Sequence, residues 1–327
     1  MSHQGTAFSS EKEVLANVLK RNIEQVGRFP PDSTAEEVAK VLASDINGKI
    51  VIITGASPSG LGAEAARVIF QHNPKLLILA SRSIKTIDET IVAIGGYKSS
   101  EKVRAVVLDL ADLDSVRKAA AEILEITPTV DVLINNAGIM MVPEYKTTKQ
   151  GFELQFQVNH LGHFLFTNLI LSALLKSPFG PRVVNVSSAG HRASEVHLDD
   201  VNFKNGETYD SFIAYGQSKS ANILFTVSLD QKLQKKGLRS FAVDPGSVGW
   251  WNADGSLGEN IPWTTVGQGT SSYIVGAFDR TIDDQSGKCL AKANIDATAE
   301  SYATDPEIAE KLWVLSEKFV GQEFRYD

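Results

Sequence analysis

Six short runs rich in β-branched and other apolar residues recur from residue 50 onward, at 50–54, 76–80, 103–108, 130–134, 182–187 and 240–243, with segments of helical periodicity between them. Strands that are apolar throughout, and not at every second residue, must be covered on both faces. Strands joined by helix-length connections run parallel. The expected fold class is therefore α/β, a single doubly wound parallel sheet flanked by helices. Ligands in such sheets sit beyond the carboxyl ends of the strands, where the strand order reverses, so the residues just after each run matter most.

Ahead of this pattern, residues 10–27 and 33–44 read as two helices split by Phe29-Pro-Pro-Asp32, with Asp32, Ser33 or Thr34 as N-cap before Glu36 and Glu37. The domain reading is a helical N-terminal extension, 1–48, followed by one α/β domain, 49–327. A stretch rich in Gly, Asn and Trp from Gly249 to Thr265 reads as a long loop, and loops of that length inside compact domains are often functional.

Of the 327 residues 43% are hydrophobic and 22% charged, and the formal net charge of −7 offers no basic footprint for nucleic acid and no cationic face for a membrane. No apolar run approaches the roughly 18 residues of a spanning helix. The first ten residues lack the basic and apolar regions of a signal peptide, and Cys289 is the only cysteine, which excludes an internal disulfide or a cysteine zinc cluster. The expectation is a cytoplasmic protein.

Directly after the first run comes Thr54-Gly-Ala-Ser-Pro-Ser-Gly-Leu-Gly62, leading into a helical segment. A glycine-rich turn from strand to helix presents free N–H groups and the positive end of the helix dipole, both suited to phosphate. Gly55 and Gly60 have the spacing of a P-loop, but Leu61 and Gly62 stand where Lys and Ser/Thr would be required. Gly60-Leu-Gly-Ala-Glu-Ala65 satisfies the letters of a dinucleotide fingerprint instead. After the second run, Arg82 lies twenty residues past Gly62, with no acid at the strand end. An acid there would bind a ribose 2′-OH, whereas a guanidinium pairs with a 2′-phosphate, so the expected cofactor is NADPH/NADP.

Tyr-x-x-x-Lys, whose spacing puts both side chains on one helical face, occurs twice, at Tyr145/Lys149 and Tyr215/Lys219. The first copy lies in a polar stretch without apolar periodicity and reads as surface. The second opens a long helix after a strand ending in Val186-Ser-Ser188. His160 and His163, three apart, lack a third ligand at a suitable spacing, so no metal is expected.

Thr-Gly-(spacer)-Gly-x-Gly, Asn135-Asn-Ala-Gly138, Asn159 in a helix read over Phe152 to Leu175, Val-Ser-Ser and Tyr-x-x-x-Lys occur in one order across residues 54–219. This order resembles the short-chain dehydrogenase/reductase family, whose sheet is Rossmann-like. The wording of Arg182 to His191 and of Tyr215 to Asn222 is similar to its retinol-dehydrogenase-like and WW-domain-oxidoreductase-like branch, and Gln268 to Ser272 and Leu312 to Glu317 extend the likeness to the C-terminus. The glycine spacer has four residues against the family's usual three, and its Ser-Pro insertion is similar to fungal members.

The resemblance implies catalysis by Ser188, Tyr215, Lys219 and Asn159. Tyr215 would act as acid/base with its pKa lowered by Lys219, Ser188 as donor to the substrate oxygen, and Asn159 as holder of a relay water. It implies cofactor contacts at Gly55, Ser57, Ser59, Gly60, Leu61, Gly62, Arg82, Asp109, Leu110, Asn136, Ala137, Gly138, Pro245, Gly246 and Val248, besides Tyr215 and Lys219; Asp109 has the plainer alternative of a helix N-cap. Where the family commonly has Thr after Pro-Gly-x-Val-x, this chain has Trp250. Met140, Met141, Trp250 and Trp251 are expected to wall the substrate pocket, the tryptophans on a loop spanning about 247–266 that also carries Trp263. The expected function is NADPH-dependent reduction of a bulky apolar or aromatic ketone or aldehyde, in secondary metabolism. The alternatives are an NADP-dependent dehydrogenase of a lipophilic alcohol, or a cofactor-binding scaffold with little turnover. The partners implied are a small-molecule carbonyl compound and a second copy of the chain in a homodimer.

Overall fold

The apolar runs become the inner strands of one sheet in the computed structural model, which describes residues 25–26, 28–95, 102–248 and 263–326. The strands are β1 (Gln25–Val26), β2 (Ile50–Thr54), β3 (Leu76–Ser81), β4 (Val103–Val107), β5 (Val132–Asn135), β6 (Arg182–Val186), β7 (Arg239–Asp244), β8 (Cys289–Ala291) and β9 (Asn294–Asp296), in the order β1-β9-β8-β7-β6-β5-β2-β3-β4. From β4 to β8 all neighbours are parallel, whereas β9 pairs antiparallel with β8 and β1 antiparallel with β9. The chain steps outward from β2 to β3 and β4, then returns to place β5 on the other side of β2. A crevice opens at that reversal, beyond the carboxyl ends of the strands.

Helices α1 (Ala35–Val41), α2 (Leu61–Gln71), α3 (Ile84–Ala93) and α7 (Val266–Phe278) share a core with one sheet face, while α4 (Leu113–Ile126), α5 (residues 154–169), α6 (Ser211–Leu233) and α8 (Pro306–Val320) share a core with the other. Along β2, Val51 and Ile53 join the first core and Ile52 the second, which is why the strand is apolar up to Thr54.

Several boundaries differ from the sequence reading. Of the first expected helix, residues 25–26 form an edge strand; its other residues, 10–24 and 27, lie outside the described residues. In the second, Thr34 is the N-cap: its hydroxyl accepts from Glu37 N (3.3 Å) and its own N–H donates to Glu37 (2.8 Å), a closed capping box. Phe29, Ala35, Val38, Leu42 and Ile46 belong to the first core, so this part of the segment is packed as core. Leu108 and Ser187 fall just past their strands, and the fourth run enters the sheet only at Val132. The short strands β8 and β9 carry no long apolar run, which is why the sequence pattern passed over them.

Candidate active site

The glycine turn is held by one hydroxyl. Thr54 Oγ1 accepts from Asn136 N and Ala137 N (3.0 Å each) and lies 2.8 Å from His163 Nε2. With both lone pairs of Thr54 facing N–H groups, its own proton goes to His163 Nε2, and the other ring nitrogen, Nδ1, donates to the Asn159 carbonyl (3.1 Å). Asn136 donates to Thr54 O (2.8 Å) and Gly55 O (3.1 Å), pinning the β5 end to the turn. Two glycines are obligatory here. A Cβ on Gly55, at φ +72°, would meet Ala137 Cα at 2.6 Å, and one on Gly62 would meet Asn136 Nδ2 at 2.5 Å. The four-residue spacer turns outward: Ser57, Pro58 and Ser59 are exposed, and Ser59 takes a left-handed conformation.

These elements wall a cleft of about 260 Å³ that includes Gly55, Ser57, Leu61, Gly62, Arg82, Asp109, Leu110, Asn136, Ala137 and Gly138. Ser59 and Gly60 are absent from its lining. Arg82 is exposed at the rim, with no ion pair or hydrogen bond to it among the described residues. Asp109 does not cap a helix: Asp112 caps α4, and Asp109 accepts from Ala111 N in a tight turn.

Leu61 also borders a second cavity of about 210 Å³, walled by Met140, Met141, Phe212, Ser188, Tyr215, Asp244, Pro245, Gly246 and Val248 among others. Asp210 caps α6, the helix carrying Tyr215 and Lys219, and its first turns are buried on nearly every side. Polar residues within it are therefore tied down: Ser218 donates to Tyr215 O (2.7 Å), Ser220 to Ser194 O (2.6 Å), and Asn222 to Val186 O (2.9 Å). The Tyr215 ring lies over Gly190, where a Cβ would come within 2.7 Å of it.

The two adjacent serines separate cleanly. Ser187 is buried and donates to Lys219 O (2.8 Å), a structural bond. Ser188 faces the cavity and accepts from Gly190 N (3.0 Å). The Ser188 proton is left to donate, and the hydroxyl's position beside Tyr215 draws the phenol pKa down. Burial outweighs it and pushes Tyr215 up to about 12, so Lys219 does not lower the phenol here as expected. Lys219 is itself pushed down to about 8 by burial, with Asp244 acting against the shift. Its Nζ donates to Val186 O (2.9 Å) and stands 5.5 Å from the Tyr215 ring centroid.

Asn159 sits within a π-helical turn, Gln157–Leu161, a form found frequently at functional sites. Its side chain accepts from Ile139 N and donates to Ile139 O and Ser218 Oγ, each at 2.9 Å. The amide thus joins the loop after β5, α5 and α6, with both its N–H groups used. What remains for a relay is a second lone pair on its carbonyl.

Tyr145 is not a surface residue: it is half-buried, edge-on to Tyr209 with centroids 5.5 Å apart, and lies in a loop, not a helix. Lys149 is exposed and pairs with Asp114 at 2.8 Å. His160 and His163 are buried, His160 against Ser316 Oγ at 2.8 Å. Among the described residues no three His, Cys, Asp or Glu side chains group as metal ligands. Trp250 and Trp251 lie outside the described residues, and Trp263 forms a bridge to Ser247. The sequence reading missed Thr54 as the hub of the turn, His163 as its link to Asn159, and Asp244 in the cavity wall. Thr54 and Asp244 each end a strand, the position that the fold class marks out.

A reversed-order parallel sheet with a glycine-lined cleft at the reversal, leading into a cavity with facing Ser and Tyr hydroxyls, defines an oxidoreductase of the dinucleotide-binding kind. The chain belongs to the short chain dehydrogenase family, whose profile matches residues 49–199. It is 38% identical to human retinol dehydrogenase 13 over 293 residues, 85% of this chain and 86% of that protein. It is 32% identical to the oxidoreductase fscI of Fusarium equiseti, over 68% of this chain and 96% of that one. The crystal structure of an uncharacterised protein from Mycobacterium Paratuberculosis superposes with a TM-score of 0.69 at 34% identity, covering 87% of this chain and 98% of the other. Among the described residues no helix is long and apolar enough to cross a membrane.

Proposed function

We propose that the chain reduces a bulky apolar or aromatic ketone or aldehyde to an alcohol with NADPH. The observation that carries this reading is the pair of hydroxyl side chains, Ser188 and Tyr215, in the wall of a largely apolar cavity that adjoins the glycine-turn cleft at Leu61. The cleft suits a dinucleotide: its glycine turn packs closely on Ala137 and Asn136 beside it, and Arg82 stands at the rim without a partner among the described residues, placed for a 2′-phosphate. Gly55, Ser57, Leu61, Gly62, Arg82, Asp109 and Asn136 to Gly138 would hold the cofactor, which supplies the hydride when bound.

The chain's own residues manage the proton and the charge. Burial keeps Tyr215 protonated at neutral pH, the form that can give a proton to a carbonyl oxygen becoming an alkoxide. Ser188 donates to that oxygen, its geometry fixed by Gly190 N. Lys219 stands 5.5 Å from the phenol ring, and Asn159 ties the loop after β5 to α6. Cys289, a single buried thiol, suits a reducing compartment, and we place the reaction in the cytoplasm, in a homodimer of the kind usual in the family and within secondary metabolism.

Similarity to retinol dehydrogenase 13 favours a second reading, oxidation of a lipophilic alcohol at the same residues, told apart by which direction turns over at physiological cofactor ratios. Tyr215→Phe is the test. It should lower kcat by about 10²- to 10⁴-fold with NADPH affinity, followed by nucleotide fluorescence, unchanged. A variant as active as the parent would refute the assignment, and a parent that binds NADPH but turns over no carbonyl or alcohol would leave the scaffold reading.

A further inference from the structure

Asp244 ends β7 in the wall of the second cavity, together with Ser188 and Tyr215. Leu61, Met140, Met141, Phe212 and Val248 make much of the rest of that wall apolar, and Asp244 is the only formally charged side chain among the described residues lining it. The carboxylate is fixed by the chain itself: Oδ1 accepts from Gly246 N at 2.9 Å, in a turn that places Gly246 at φ +74°. No Lys, Arg or His pairs with it among the described residues, and Lys219, the nearest cation in the catalytic set, donates to Val186 O instead. Its field nevertheless reaches the reacting groups, acting on both Tyr215 and Lys219. A half-buried carboxylate in an apolar wall has lost part of its water, and its second oxygen has no hydrogen-bond partner among the described residues.

We infer that Asp244 is a specificity-determining residue: its free oxygen recognises carbonyl substrates that carry a hydrogen-bond donor, a hydroxyl or a protonated amine, and turns away carboxylates and phosphates. The inference rests on the second cavity being the substrate site. A donor reaching the carboxylate forms a charge-assisted hydrogen bond, and an anion placed there meets like charge in a poorly screened wall.

A matched trio of aryl ketones tests it: 4-(aminomethyl)acetophenone, 4-methylacetophenone and 4-acetylbenzoate, titrated calorimetrically into the NADP⁺ complex of the full chain, which has no hydride to give them. The wild type should bind the ammonium ketone about ten- to a hundredfold more tightly than the methyl ketone, and the carboxylate at least tenfold more weakly. In Asp244→Asn, which keeps an oxygen for Gly246 N, both ratios should collapse toward one. Equal affinities in the wild type would overturn the inference without need of a variant, as would ratios that survive the substitution. So would a variant that weakens NADP⁺ relative to NADPH and leaves the order of the trio intact, since the carboxylate would then serve the cofactor. If the order holds but none of the three ketones consumes NADPH, the carbonyl-reduction reading fails and Asp244 keeps its role.

Discussion

His163 gives the sharpest physical test of how the site is held together. Its ring spans from Thr54 Oγ1 to the Asn159 carbonyl, and it does so neutral: burial pushes its pKa down to about 4, against 6.5 for a free imidazole. His160, buried on the same helix, is pushed down to about 3. Unfolding lets both rings take up protons at any pH between their folded and unfolded values. A group with a depressed folded pKa contributes its full stability above the unfolded value and loses it as the pH falls. The loss starts near 6.5 and runs to about 4 for His163. Each ring contributes a slope of about 1.4 kcal/mol per pH unit in that window, so the pair costs roughly 5 kcal/mol between pH 6.5 and 4.5. That is of the order of a whole domain's stability. His163→Gln should lower stability at pH 7 by about 1–3 kcal/mol through lost hydrogen bonds. It should also remove one of the two slopes, leaving carboxylate and His191 contributions common to both proteins. Urea denaturation at half-unit steps from pH 5 to 7 measures both effects. Stability curves for parent and variant that stay parallel across that range would refute the neutral, buried bridge.

Arg82→Ala should raise the KM for NADPH about tenfold or more and leave that for NADH nearly untouched, because only the 2′-phosphate needs the guanidinium; equal effects would remove the NADP assignment. Parent protein titrated with both nucleotides gives the baseline for that comparison. Ser188→Ala should cost about 10²- to 10³-fold in kcat with little change in melting temperature, since it removes a donor aimed at the cavity. Ser187→Ala should do the reverse, losing about 1 kcal/mol of stability with its bond to Lys219 O. If the two variants exchange these signatures in paired kinetics and melting, the serine assignment is wrong.

The inner strands were legible because a strand buried on both faces leaves little choice of residue: the first four positions of β2 are apolar and all five are buried. The glycine turn was legible for a similar reason, since Gly55 and Gly62 answer to contacts that exclude a Cβ. Edge elements left fainter marks. β8 and β9 have three residues each, and β1 has two, too few to show a period. The choice between the two Tyr-x-x-x-Lys copies followed from what precedes each, and the structure puts only Tyr215 and Lys219 on a helix. What spacing could not disclose was the environment's charge balance. Lys219 was expected to lower the Tyr215 pKa, but desolvation dominates both groups. Thr54 and His163 lie 109 positions apart, and no local pattern signals that they touch.

The capped N-terminal helix reaches further than its position suggests. The family profile matches from residue 49, but the part of the fold that it omits is not ornamental. Consider a chain cut at that point. It would lack Ala35, Val38, Leu42 and Ile46, all almost wholly enclosed, and Glu36, which shares Arg67 with Glu64 on α2. Removing them uncovers the back of α2, whose opposite end forms the glycine turn. The segment ahead of the profile match is in effect a wedge behind the glycine turn, and a substitution in it can disturb the cleft without altering any residue that lines it.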